Sequence, residues 1–408
     1  MTGMSQRAAT ILLAFIVAGV VLGILSGWYF GPAMVHVEWI GKLFLDALKM
    51  LIVPLVVAAL ISGIAALGDI RHLGRIGGMT LGYFTITTGV AVIIGLIMAN
   101  LIQPGAGLEL IAGEADVARL IEGRDDIGVI DILSTLVTPN LIAAAASMEL
   151  VPLIMFSIVF GAALTTLGDA GRPVIAFFSA VNDAMMKLVV WLMYLAPVGI
   201  FALIASRLGK AGGGDALLAQ LTAVGWHVVT VLGGLFVHLL VLTAILVFVA
   251  GRGLSYLLNL MRALLTAFGT ASSSATIPLT MECVRENNVD ERVVRFTIPL
   301  GATLNMNGTA LYEAAAVMFI AQAYGIDLDL QQQILVFLTA TLAAIAAAGI
   351  PEAGLVTMVI VLNAVGLPLE GIGLLLAVDW FLDRFRTSVN VWGDAVGAAV
   401  VDRWLRRE

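Results

Sequence analysis

The chain has 408 residues, of which 61% are hydrophobic and only 12% charged, with a formal charge of −7. Soluble globular chains carry about 25% charged residues, so a mean hydropathy of +1.05 points to a bilayer as the solvent. The acidic balance excludes a nucleic-acid partner, which needs a basic face, and the single cysteine, Cys283, excludes an intrachain disulfide.

In chain order, residues 8–29 form an apolar run of spanning length. It is longer than a signal-peptide core and lacks an A-x-A-like cleavage site, so it is expected to be retained as the first helix. Apolar stretches at 42–67, 78–102, 140–167, 174–204, 218–250, 292–323 and 370–402 bring the expected number of spans to eight. Two further segments, 255–285 and 330–366, are broken in the middle by SSSATIP and AAAGIPEAG. Non-helical backbone is tolerated at membrane depth only against protein or a watery cavity, so these read as re-entrant hairpins lining a site.

Loop charge sets the orientation. Arg71, His72, Arg75, Arg403, Arg406 and Arg407 belong on the cytoplasmic side of the cell's inner (plasma) membrane. The acidic loop with Glu109, Glu114, Asp116, Glu122, Asp125, Asp126 and Asp131 belongs outside. Eight crossings then return both termini to the cytoplasm. A broken hairpin followed by a polar-faced helix occurs twice, at 255–323 and 330–402, entering from opposite sides. Such inverted repeats place substrate and coupling ions near the midplane.

Two polar constellations sit in these spans. In GATLNMNGTALYE, 301–313, Asn305, Asn307, Gly308 and Thr309 suit a local unwinding more than a plain spanning helix. Freed carbonyls with Asn side chains and a nearby Asp make hard oxygen ligands for an alkali cation such as sodium. Helix gluing by hydrogen bonds is the plainer alternative for either Asn alone. In DWFLDRFRTSVNVWGD, 379–394, the side chains of Asp379, Asp383, Arg386, Thr387, Asn390 and Asp394 share one helical stripe. Each charge in the bilayer costs about 2.5–3.5 kcal/mol on insertion scales. Mutual neutralisation of Asp383 and Arg386 at i,i+3 would leave Asp379, Asn390 and Asp394 without a purpose.

These residues carry a family resemblance. SSSAT in one hairpin, NM-x-GT on a spanning helix, AAGIPEAGLVTMVIVL in the second hairpin and DWFLDRFRTSVNVWGD resemble the excitatory amino acid transporters of the sodium/dicarboxylate symporter family. The match is dense over 267–401 and thinner upstream, where it includes MLIVPLV at 50–56 and YFTITT at 83–88. The resemblance implies an all-α integral membrane protein with eight transmembrane helices, two re-entrant helical hairpins and inverted repeats. It further implies a homotrimer working as an elevator. Residues 1–77 (helices 1 and 2) and 140–217 (helices 4 and 5) would form the scaffold. Residues 78–139 (helix 3 and the outer acidic loop) and 218–408 (helix 6 onward, with both hairpins) would form the transport domain.

Carried over by resemblance, Arg386 takes the substrate side-chain carboxylate and Asp383 its α-amino group, with Ser273, Thr309, Ile350, Gly354, Thr387 and Asn390 completing the substrate site. The chemistry agrees, because a guanidinium fork binds a carboxylate bidentately as Lys cannot. One sodium site corresponds to Gly301, Asn305, Asn390 and Asp394. A second, mostly backbone, corresponds to Thr303, Ala344, Ile345 and Ala347. A third corresponds to Thr87, Thr88, Asn305 and Asn307, and there the sequence departs from the family, which has Asp where this chain has Asn307. Ala271, Arg384 and Glu313 match the vertebrate branch, in which the Glu carries a proton and enables potassium counter-transport. The implied activity is cation-driven symport of glutamate or aspartate, with sodium, proton and potassium as coupling ions, no organic cofactor and no enzymatic step. A neutral amino-acid exchanger, expected to lack Arg at position 386, and a C4-dicarboxylate symporter, expected to lack Asp383, remain as alternatives.

Overall fold

A computed structural model describes residues 6–65, 74–108, 136–210, 214–346 and 353–406. The described residues contain helices and no strand. The charges expected to orient the chain at Arg71, His72, Arg407 and the acidic loop lie outside them, as do Ile350 and Ala347.

The helices are α1 (Gln6–Phe30), α2 (Glu38–Ala65), α3 (Gly74–Ile102), α4 (Leu141–Ala146), α5 (Leu150–Thr165), α6 (Arg172–Met193), α7 (Ala196–Lys210) and α8 (Gly214–Ala244). They continue with α9 (Ser255–Thr270), α10 (Ser273–Glu286), α11 (Glu291–Leu304), α12 (Asn307–Ala323), α13 (Leu330–Ala346), α14 (Ala353–Ala364) and α15 (Ile372–Arg406). Among the described residues four helical stretches are long and apolar enough to cross a membrane: Ala14–Ala65, Arg75–Ile102, Gly168–Met193 and Leu218–Val249. The stretches at 140–167, 174–204 and 292–323 are interrupted, whereas that at 370–402 is the single helix α15. The run at 174–204 divides into α6 and α7, because Pro197 at the second position of α7 lacks an N–H and disfavours helix in the residue before it.

The breaks have local causes. Ala271, in the left-handed region at φ 49°, closes α9 with its N–H on Ala267 O at 2.8 Å, and Ser272 then turns extended and caps α10 by accepting from Ala275 N. Asn305 (φ −120°, ψ 64°) and Met306 (φ −92°, ψ 56°) separate α11 from α12 at the NMNG sequence, freeing carbonyls at the end of α11.

Packing falls into two groups. Helices α1, α2, α5, α6 and α7 contact one another, whereas α3 and α8–α15 surround α12 and α15. The groups meet where α13 and α14 lie on α2 and α5, and where α15 touches α7. In the first group Gly19, Gly23 and Gly27 line up on α1, and a Cβ at Gly23 would stand 3.0 Å from Phe201 O. This small-residue seam lets α1 and α7 approach closely. In the second group α12 is buried around its whole circumference from Asn307 to Ala321. By contrast, Phe236 on α8 is 61% exposed and Phe248, in the π-helical turn Ile245–Val249 that follows it, 83%, the surface expected against lipid.

The C-terminal end of α15 is held by a charged clamp. Asp402, 1% exposed, accepts from Arg252 Nη2 at 2.8 Å, Arg406 Nε at 3.0 Å and Asp290 N at 3.0 Å. Arg252 and Arg406 also donate to the backbone at Asn287 and Asn288, fixing the turn between α10 and α11.

Candidate functional site

The stripe on α15 is buried as a unit: Asp379, Asp383, Arg386, Thr387, Asn390 and Asp394 are all 6% exposed or less. At its centre Arg386 is fully buried between two carboxylates, with Nη1 2.8 Å from Asp379 Oδ1 and Nη2 2.8 Å from Asp383 Oδ1. Its Cζ lies 4.0 Å from the ring centre of Tyr312 on α12, so cation–π attraction holds the open face of the guanidinium. Two carboxylates and one guanidinium leave a formal excess of one negative charge, which suits capture of an ammonium group beside the fork.

The ends of the broken helices close over this fork. A Cβ at Gly354, in the first turn of α14, would lie 2.8 Å from Arg386 Nη1. A Cβ at Gly308 would lie 2.6 Å from the Arg386 carbonyl oxygen, so both glycines are needed for backbone approach to this residue. Gly308 N donates to Asn390 Oδ1 at 2.7 Å, and Asn390 Nδ2 donates to Thr309 Oγ1 at 3.3 Å. The sequence-predicted residues Gly354, Thr309, Asp383, Arg386 and Asn390 are therefore brought together at one point. Thr387 is buried on the same helix, and Ser273 is buried at the start of α10, which packs on α15.

A second cluster sits one turn further along α15. Asn305 Nδ2 donates to Asp394 Oδ1 at 2.9 Å, while Asn305 Oδ1 is buried without a partner among the described residues. A Cβ at Gly301 would strike the Asp394 carboxyl group. A carboxylate, an orphaned amide oxygen and the carbonyls of an interrupted helix are hard oxygens. They fit an alkali cation, and the orphaned Asn305 Oδ1 is the observation that calls for one. Asn390, expected in both sites, bridges α12 to α15 through Gly308 and Thr309.

The third predicted cation position fits less well. Thr88 Oγ1 donates to Asn307 Oδ1 at 2.8 Å, but Thr87 Oγ1 turns back to Tyr83 O at 2.9 Å. Asn307 Nδ2 is buried and has no partner among the described residues; it lies near Gly393, where a Cβ would meet it at 2.8 Å and Asn305 Nδ2 at 3.1 Å. Here the amide contributes an N–H₂ donor where a carboxylate would contribute a second acceptor. At the second position, α11 and α13 pack together. There Thr303 Oγ1 donates to Leu300 O at 2.9 Å, Ala344 is buried and Ile345 is half-buried, while Ala347 lies outside the described residues.

Glu313 is fully buried on α12, with the Thr357 hydroxyl of α14 as its polar neighbour. Arg384 lies off the stripe and donates to Phe268 O at 3.0 Å and Gly269 O at 2.9 Å, tying α15 to the end of α9. Sequence reasoning left one member of the site without a role and missed another. Asp379 was visible at seven residues from Arg386 but had no assigned partner. Tyr312 carried only the weak signal of a Tyr in a small-residue helix.

The Sodium:dicarboxylate symporter family model matches residues 12–404. An excitatory amino acid transporter of Caenorhabditis elegans is 38% identical, covering 98% of this chain and 88% of its own length. Excitatory amino acid transporter 1 of Ambystoma tigrinum is 37% identical over 90% of this chain and 77% of its own, and excitatory amino acid transporter 3 of Oryctolagus cuniculus is 37% identical over 96% and 84%. With its whole helical body matched and with that degree of identity, the chain belongs to the sodium:dicarboxylate symporter family.

Proposed function

We propose that this protein is a secondary active symporter of acidic amino acids, glutamate or aspartate, driven by a sodium gradient and assisted by protons through Glu313 with potassium counter-transport. The single observation that carries the substrate class is the buried Arg386 fork beside Asp383, a carboxylate partner and an ammonium partner side by side. An exchanger of neutral amino acids would have no use for the guanidinium, and a plain dicarboxylate carrier none for Asp383.

In this reading the two packing groups are a scaffold and a transport domain. The paired helices α9–α10 and α13–α14 are re-entrant hairpins, the chain crosses a plasma membrane eight times with cytoplasmic termini, and three copies assemble. The division of contacts, the capped breaks at Ala271–Ser272 and Asn305–Met306, and Arg75, Arg403 and Arg406 at helix ends support it. A bound sodium ion would supply a positive charge that offsets Asp394 and orders the NMNG break. Asp394, Asn305 and the Gly301 backbone would hold it. Asn390 joins α12 to α15, so ordering the cation cluster also orders Thr309 beside the substrate. Equilibrium binding of radiolabelled aspartate or glutamate to the purified protein tests the reading. Affinity should rise with sodium and be lost in Asp394→Asn, whereas sodium-independent binding would overturn it.

Asn307 makes a further expectation. Neutral ligands offset less of a cation's lost hydration than a carboxylate does, so the third site should be weak and coupling should involve fewer sodium ions than in Asn307→Asp. Zero-current potentials of proteoliposomes at several sodium ratios measure this directly. A stoichiometry identical in parent and Asn307→Asp would show that the missing charge does not matter.

A further inference from the structure

His227 lies on α8, in an apolar stretch whose nearest ionisable residues along the chain are Asp215, twelve residues before it, and His238, eleven after it. It is fully buried, and neither ring nitrogen has a hydrogen-bond partner among the described residues. Leaving a buried polar group without a hydrogen bond is costly, so an imidazole orphaned in this way calls for an explanation in another state of the protein. Its surroundings say where that state is read. The ring packs on Phe319, centre to centre 4.9 Å, and meets Tyr312 at 5.9 Å with the planes 61° apart. Tyr312 is the ring that carries the Arg386 guanidinium 4.0 Å from its centre. One aromatic ring therefore separates the imidazole from the residue that receives the substrate carboxylate.

The remaining neighbours narrow the charges that act on it. From α12 the ionisable groups are Tyr312 and Glu313, and from α15 they are Arg386 with Asp379 and Asp383. The end of α3 and the turn after it, from Gly95 to Gly105, run past Leu311 and Phe319 and carry none, and neither does the π-helical turn that follows α8 at Ile245–Val249. An acidic amino acid brings a net charge of −1 into this core. In a desolvated interior a proton on an imidazole at this range would attract it.

We propose that His227 is a proton-binding group linked to substrate occupancy, gaining a proton as the carboxylate of the acidic amino acid engages Arg386 beyond Tyr312. The proposal rests on the acidic-substrate reading above and goes beyond it. Linkage is reciprocal, so if substrate favours the protonated imidazole, acidification must strengthen substrate binding, by as much as about tenfold per pH unit for one linked proton.

The test is calorimetry of aspartate and glutamate binding to the purified full-length protein, in buffers of different ionisation heat, from pH 5 to 8. Using Glu313→Gln removes the carboxyl group already given a proton-coupling role. In that background the expected results are proton uptake on binding and affinity that falls as pH rises, with both lost on adding His227→Gln. His227→Phe keeps the ring packing against Phe319 and Tyr312, and should bind with an affinity independent of pH. Proton uptake that persists in the double variant overturns the proposal. So does affinity independent of pH in Glu313→Gln alone, a result that needs no substitution at His227. Failure of the parent to bind acidic amino acids at any pH would contradict the substrate reading instead.

Discussion

Arg386→Ala is expected to lower the affinity for aspartate and glutamate at least about hundredfold while leaving binding of small neutral amino acids. Removing one partner of a buried ion pair typically costs about 3–5 kcal/mol, and each 1.4 kcal/mol is a factor of ten. Here the loss is compounded. The substrate carboxylate loses its fork, and Asp379 and Asp383 face each other without the cation that lies 2.8 Å from each. Arg386→Lys separates charge from geometry. It keeps the positive charge but not two parallel donors, and it should recover stability more than acidic-substrate affinity. Binding isotherms with thermal unfolding as a control check this, and equal acidic-substrate affinity in parent and Arg386→Ala would contradict the assignment.

Glu313→Gln should uncouple net uptake from proton and potassium gradients while preserving exchange of internal for external substrate. The carboxyl group is fully buried on the helix that also bears Tyr312, next to the fork, with a hydroxyl for its polar neighbour. A charged carboxylate there is expensive, and moving it with and without a proton gives the two halves of a cycle different charge. Gln keeps the size and hydrogen-bonding capacity but cannot titrate. Counterflow and net uptake measured on the same proteoliposomes separate the two modes. A Gln variant that still accumulates substrate under an inward proton gradient with outward potassium would refute the role.

What the sequence made legible was whatever departs from the rule that membrane helices are apolar. The stripe from Asp379 to Asp394 could be read because its charges recur at helical spacing, and the structure buries all of them together. The interruption at Asn305 and Met306 was readable from Asn and Gly in the middle of an apolar span. The Ser-rich tip marked the break between α9 and α10, while the Gly- and Pro-containing tip at 347–352 lies outside the described residues. The rest depended on contacts between distant segments. That Arg386 pairs with Asp379 as well as Asp383 depends on rotamers two turns apart, and that Tyr312 lies under the guanidinium depends on how α12 is rotated. His227 was hidden by being one imidazole in a long apolar helix. Asp402 was hidden because two of its three partners, Arg252 and Asp290, come from more than a hundred positions away.

The most direct measurement of the central claim is uptake of radiolabelled aspartate and glutamate into proteoliposomes containing only this protein, under an imposed inward sodium gradient. Uphill accumulation that collapses when the gradient is dissipated, and that acidic but not neutral amino acids compete away, is the predicted result. Accumulation indifferent to every imposed cation gradient, or preferential uptake of a neutral amino acid with Arg386 intact, would contradict it.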